Sequence, residues 1–326
     1  MPTISGVGHG IFRSSLARRM AQWLDALPHP LLACEIAPHY VAAARWTRRG
    51  NSLDGFAVEP LPDGAIVPSA VETNLVDASA VRAAVSQVFG RLRARGQEVA
   101  LLVPDTVIRI FVLHFDSFPR SADEAIPMLR WKLKKSVPFE PEETLISFMR
   151  QAPREDGVDI VTALARLRII REYELLMQGA GMVPVVVMSS TLAALPLLED
   201  RRPTLLARVS GTTLTTAIVR ESILCGYRCT DLPVTAARLT PQALLDEVYP
   251  ISAYYQDTWS EGLQSVRLAG LLDRAEEFGP VLEAELRCPV SALLHAAEAE
   301  GRISGDARPL ADRQLDALVG WMLKRG

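Results

Sequence analysis

Five histidines (His9, His29, His39, His114, His295) and four cysteines (Cys34, Cys225, Cys229, Cys288) are the side chains best suited to nucleophilic, proton-transfer or metal chemistry. None of the histidines has a second ligand-type residue at metal-binding spacing. His114 alternates with apolar neighbours and reads as a structural residue of a strand. Cys225 and Cys229 are four positions apart and would share a strand face. No Cys-x-x-Cys flanks them, so they read as small buried hydrophobes, and the compartment as a reducing one. Gly-x-Ser-x-Gly, His-Glu-x-x-His, Walker-type and Gly-x-Gly-x-x-Gly patterns are absent, which disfavours a freestanding hydrolase, metalloenzyme or dehydrogenase. Trp46, Trp131, Trp259 and Trp321 are too dispersed to form a stacking platform for bases. A net charge of -3 and a pI near 6.0 likewise argue against electrostatic binding of nucleic acid.

The elements that would position any site follow an α/β pattern. The chain has 326 residues and is 49% apolar, enough for two cores. Leu31–Ile36, Val41–Trp46 and Ser52–Val58 read as three consecutive strands, separated by turn-like clusters. A helix from Asp77 or Ser79 to Arg95, strands Glu98–Val103 and Val107–Phe115, and a helix Ser121–Lys135 ended by Pro138 come next. Strands Thr144–Arg150 and Val158–Ala165, a helix Ile170–Gly179 and a strand Val183–Met188 complete the first half. A second triplet (Leu205–Val209, Thr213–Arg220, Ser222–Arg228) then restarts the pattern. It is followed by a helix Pro241–Trp259, a strand Ser265–Leu268, a helix Asp273–Leu286, a strand Pro289–Leu294 and a helix Leu310–Lys324. Two similar halves with a cleft between them are expected, and ligands tend to sit where such halves meet. The expected division is an N-terminal extension 1–30, a first half 31–188 with an insertion around 98–166, and a second half 189–326.

No stretch is apolar enough to cross a bilayer. Val183–Leu198 comes nearest, but Pro184, Ser189, Ser190 and Pro196 interrupt it. No secretory signal is apparent, so a cytoplasmic protein is expected. Ile11–Leu27 is amphipathic, with Arg13, Arg18 and Arg19 among apolar residues. It suits either contact with a membrane surface or packing on a protein face.

Asp116-Ser117-Phe118-Pro119, then Trp131-Lys132-Leu133-Lys134-Lys135-Ser136-Val137-Pro138-Phe139 and Pro141-Glu142-Glu143, resemble the PilM family of type IV pilus assembly proteins, relatives of bacterial actin-like proteins. The likeness extends from about residue 31 to 295. It implies an actin-like, ribonuclease H-like duplicated two-domain fold with a central cleft, two phosphate hairpins and an adenosine segment. The corresponding residues here are Glu35-Ile36-Ala37-Pro38-His39-Tyr40 for the first hairpin, Leu205–Arg228 for the second, and Val266–Val290 for the adenosine segment. Contacts to a nucleotide would fall on Glu35, Ser210, Gly211, Thr212, Thr213 and Gly270.

Each of these motifs departs from the family pattern. Ala37, Pro38 and His39 follow Glu35-Ile36 where the family has Asp-Ile-Gly and small hydroxyl residues, and Ala42 takes the place of the family Lys. Arg208 stands where an Asp would help hold Mg²⁺, Ser210 where Gly is usual, and Gly270-Leu271 replaces Gly-Gly. Proline removes an amide donor, and a cation repels the metal whose ligand it replaces. The losses together are of the order of a micromolar site's ~8 kcal/mol, although Gly211, Thr212 and Thr213 still offer amides and hydroxyls to a phosphate. The resemblance thus implies no enzyme activity, no metal and no cofactor, with ATP the one candidate. It implies a cytoplasmic scaffold peripheral to the inner membrane that binds the N-terminal tail of a PilN-type protein and is open to self-association. Phe118, Pro119, Trp131, Val137, Pro138 and Phe139 would form the wall for that tail. A nucleotide-binding actin-like ATPase and the cytoplasmic domain of a type II secretion component of the GspL type are the alternatives.

Overall fold

The computed structural model describes residues 29–47, 52–137, 143–198, 201–221, 223–271 and 274–323. The amphipathic segment 11–27 lies outside them. The chain opens with a meander of β1 (Leu32–Ala37), β2 (Tyr40–Trp46) and β3 (Leu53–Pro60), then crosses through helix α1 (Ala78–Arg91) to β4 (Glu98–Val103). An excursion follows, made of β5 (Ile108–Phe115), α2 (Ala122–Leu133), β6 (Thr144–Arg154) and β7 (Gly157–Arg166). Helix α3 (Leu167–Gly179) then leads to β8 (Val183–Ser189), and α4 (Ser190–Ala194) to the second half. That half contains β9 (Thr204–Ser210), β10 (Thr213–Arg220), β11 (Ile223–Asp231), α5 (Pro241–Trp259), β12 (Ser265–Ala269), α6 (Ala275–Leu286) and β13 (Val290–Ala292). The chain closes with α7 (Leu293–Ala299), α8 (Arg308–Ala311) and α9 (Asp316–Leu323).

The two halves repeat one topology. The first sheet runs β3-β2-β1-β4-β8 and the second β11-β10-β9-β12-β13. In each, the three meander strands are antiparallel and the last two join in parallel. β1 reads LACEIA and is buried along its whole length, as a central strand covered on both faces must be. The crossover helices begin where the sequence supplies caps. The Asp77 carboxylate accepts from the amides of Ser79 and Ala80 at the start of α1, and Thr240 caps α5 just before Pro241. Val81, Val85, Val88 and Phe89 then form the buried face of α1, with Leu244, Val248, Ile251 and Tyr255 doing the same on α5.

Several boundaries differ from the expectations. β4 pairs with β1 and β8 in the first sheet, so the separate three-stranded sheet β5-β7-β6 begins at Ile108 rather than near 98. The expected final helix Leu310–Lys324 is broken by Gln314, whose φ of 55° is left-handed, into α8 and α9. The strand at Pro289–Leu294 stops at Ala292, and Leu293 starts α7. Leu192–Leu198 and Leu310–Met322 pack into the first core, not the second. Trp321 anchors α9 there, and burying a side chain of that size contributes about 1.5–3 kcal/mol or more. Helix α9 therefore packs on the first half, which brings Asp316 to Arg208 beside Glu35 of β1. Among the described residues no helix is long and apolar enough to cross a membrane.

Candidate functional site

The turns β1–β2 and β9–β10 occupy equivalent places in the duplicated sheets and meet across the cleft. Ala37 pairs with Tyr40 around Pro38-His39, and Ser210 with Thr213 around Gly211-Thr212. Gly211 has a φ of 61°, and a Cβ built on it would lie 3.2 Å from Pro38 Cγ and 3.8 Å from His39 Nε2. The turns are thus in contact, with the proline ring packed between them.

Below the turns lies a buried charge network. Arg208 on β9 is only 4% exposed. Its Nε donates to Asp316 Oδ2 at 2.7 Å, and its Nη2 to Asp316 Oδ1 at 3.2 Å and to Glu35 Oε1 at 2.9 Å. Its Nη1 lies 3.7 Å from Asp105 Oδ2. Asp105, on the short turn after β4, also accepts from the Thr191 amide (2.9 Å) and hydroxyl (2.5 Å), from the Thr215 hydroxyl (2.9 Å) and from the Tyr227 hydroxyl (3.4 Å). The Tyr40 hydroxyl donates to Glu35 Oε2 at 3.1 Å. One guanidinium therefore ties Glu35 of the first half, Asp105 beside the excursion and Asp316 of the returning helix to β9.

The electrostatics follow from burial. Desolvation opposes the Arg208 charge, but Asp316, Glu35 and Asp105 outweigh it and hold the guanidinium well above its ordinary value. Burial pushes the Glu35 carboxyl up. Arg208 pulls it back, while Asp316 adds to the rise. Tyr40 and Tyr227 are both raised by burial first, then by Glu35 and Asp105 respectively. Arginine suits this position because its planar fork can satisfy several carboxylate oxygens at once.

These residues do not fit a magnesium–triphosphate group. A guanidinium already occupies the space among the three carboxylates, and Pro38 packs between the turns. Among the described residues no group of three or more ligand-type side chains is placed to hold a metal. Gly270 after β12 is equally committed to packing. Its φ is 72°, and a Cβ there would fall 1.8 Å from the Val209 carbonyl oxygen. Beside it opens a cavity of about 920 Å³, lined among others by Glu276, Glu283, Glu298, Asp312 and Asp316, with His295 and Arg308. It is large enough for a nucleoside, but its acidic lining opposes a phosphate tail. Of the expected nucleotide contacts, only Gly270 borders this cavity. Glu35 is locked onto Arg208, and Ser210, Gly211, Thr212 and Thr213 form the closed turn.

The expected partner wall divides between inside and outside. Phe118 is buried in the small core of the excursion with Ala125, Leu129 and Ile160, and its ring contacts Phe115 and Phe148 at 5.0 and 5.4 Å. Arg150 sits over that ring and donates to the carbonyls of Phe118 and Pro119. Phe118 is therefore a core residue and not part of a docking surface, because the β-sheet and α2 enclose it. Trp131 is 80% exposed on the opposite face of α2, while Pro119 and Val137 are half-buried. Pro138 and Phe139 lie outside the described residues. His114 bonds Asp159 at 2.9 Å and is raised chiefly by that bond, in keeping with a structural role.

Asp105, Thr191, Thr215, Tyr227 and Asp316 are five of the eight residues of the buried network, and sequence reasoning did not single them out. Asp316 left a signal, as a lone acid in the apolar run Leu315–Leu323. Asp105 left none, because a Pro-Asp after a strand is ordinary turn chemistry.

Two sheets of one topology, each offering a hairpin to a shared cleft and joined by a returning helix, make an actin-like fold. The chain matches one from the "PilM-PilN type IV pilus biogenesis complex" with a TM-score of 0.67 and 17% identity, over 91% of this chain and 98% of that one. Further matches are the cytoplasmic domain of EpsL, an inner membrane component of the type II secretion system of Vibrio cholerae (TM-score 0.45, 12% identity, 73% and 80% covered), and the ethanolamine utilization protein EutJ from Carboxydothermus hydrogenoformans (0.46, 11%, 93% and 99%). No family model and no curated protein matches by sequence. What the first of these shares with the chain at 17% identity is the fold, and it is the fold that the hairpins and the Trp131–Phe139 segment led one to expect.

Proposed function

We propose that the chain is a non-catalytic scaffold of a type IV pilus assembly complex, placed at the cytoplasmic face of the inner membrane and holding the N-terminal tail of a PilN-type membrane protein. The observation that carries the first part is Arg208. Its guanidinium stands where the PilM pattern has an Asp that would help hold Mg²⁺, and it ties β9 to Glu35, Asp105 and Asp316. The contact of Pro38 with Gly211 supports the same reading, because opening the turns would also expose three carboxylates. The partner is inferred from the PilM–PilN likeness, which spans nearly the whole of both chains.

Calorimetric titration with ATP, with and without Mg²⁺, tests the first part. No heat and no thermal stabilisation are expected, whereas binding tighter than about 100 µM, roughly 5.5 kcal/mol, would overturn it. Titration with a synthetic peptide of the PilN-type cytoplasmic tail tests the second. Saturable binding to the nucleotide-free protein is expected, and failure to bind would remove the tail as partner.

A further inference from the structure

The chain has 35 basic residues, but only four are lysines: Lys132, Lys134, Lys135 and Lys324. Three of the four therefore fall within four positions, at the C-terminal tip of α2. Arginine is the side chain of bidentate ion pairs and stacked contacts, and among the described residues the cations paired with carboxylates are arginines and histidines. Lysine keeps a compact, strongly hydrated charge on a flexible stem, which suits a charge meant to stay at an aqueous boundary.

The structure divides the three lysines by task. Lys132 is used internally, donating to the His114 carbonyl at 3.0 Å and lying over the Phe115 ring at 4.0 Å. Lys134 and Lys135 are exposed, and among the described residues neither is paired with a carboxylate. Lys134 is the C-cap of α2 and Lys135 follows it, so both complement the carbonyls of the helix end, a small effect at an exposed terminus. Beside them stands Trp131, the most exposed large apolar side chain described. Ala125, Leu129 and Leu133 form the buried face of α2, so Trp131 and the two lysines project away from the body.

We propose that this tip, Trp131 with Lys134 and Lys135, is a contact for an anionic lipid surface. An indole seats at the boundary between headgroups and acyl chains, and ammonium groups beside it pair with anionic headgroups. An acidic peptide would meet the same charges. However, Trp131 is 80% exposed, and a lipid surface supplies an indole at once with apolar surroundings and with anionic partners for the lysines beside it. The chain as a whole is negative at -3, so its overall charge would repel such a surface. Screening over ~8 Å lets the local patch act on its own. The proposal places a lipid contact on the scaffold and does not depend on tail binding.

Co-sedimentation of the full chain with vesicles made of equal parts phosphatidylglycerol and phosphatidylcholine, or of phosphatidylcholine alone, tests it without any PilN-type peptide. Binding is expected only to the anionic vesicles and should weaken as salt rises. Lys134→Glu with Lys135→Glu should lower partition by more than about 25-fold, roughly fivefold or more per lysine, and Trp131→Ala by several-fold, all with unchanged melting temperature. Binding that persists in the triple variant would place the contact elsewhere, for example in segment 11–27, and overturn the proposal. So would absence of binding by the unaltered chain, and capture of an acidic peptide with no vesicle binding would assign the tip to a protein instead.

Discussion

Arg208 and the pair Lys134–Lys135 carry the same unit charge in opposite surroundings. Arg208 is almost wholly buried and faces three carboxylates, so its charge holds two halves of one fold together. The lysines are exposed beside an exposed Trp and hold nothing of the fold in place. Burial makes a charge expensive to leave unpaired, so a buried cation is legible from its partners. Exposure makes pairing nearly worthless, so an exposed basic cluster cannot be read from partners within the chain.

The largest test of this contrast is Arg208→Ala. It would strand Glu35, Asp105 and Asp316 together without a cation, and a loss of about 3–5 kcal/mol is expected, read from urea unfolding midpoints. Arg208→Lys should recover only part of it, because a point charge cannot reproduce the fork that serves Asp316 and Glu35 together. If either variant unfolds like the unaltered protein, the network does not join the halves. Gly270→Ala comes next. Its Cβ would collide with the Val209 carbonyl in a left-handed backbone, at a cost of at least about 2 kcal/mol. A neutral result would mean that the loop after β12 can leave β9.

Much of the fold was readable because the strand triplets repeat and because caps such as Asp77 and Thr240 stand where the periodic apolar runs begin. The site was only half readable. Glu35 and Arg208 could be picked out because hairpin positions are fixed by the flanking strands, and both depart from the pattern. Their mutual contact could not, because they lie 173 residues apart and meet only when the halves close. Asp105 and Asp316 join through tertiary packing of β4 and α9, which no local spacing encodes. Phe118 was misplaced for a different reason. Its burial depends on which face of α2 turns inward, and Ala125, Leu129 and Leu133 settle that together with the sheet beneath. The same periodicity turns Trp131 outward.

Glu35 gives a smaller effect with a defined sign. Burial raises its carboxyl above the ordinary value of 4.5, so the folded chain keeps a proton that the unfolded chain has released. Stability is therefore greatest below that ordinary value and declines as pH rises through the window up to the raised one. Glu35→Gln, which can still accept from Arg208, should flatten this decline in unfolding midpoints measured across a pH series. An unchanged slope would show that Glu35 is ionised throughout and that Arg208 outweighs burial.

The smallest expected effect is the one that most sharpens the contrast. Trp131→Ala, Lys134→Glu and Lys135→Glu remove exposed groups that make no contact with the core, so each should change stability by no more than about 0.5 kcal/mol. Arg208→Ala alters the same kind of charge yet should cost several times more. If the tip variants instead lower the melting temperature as Arg208→Ala does, the lysines would be structural and the contrast between paired and unpaired charge would fail. If they leave it unchanged while abolishing partition onto anionic vesicles, the outward charge of α2 would be spent wholly on a surface beyond the chain.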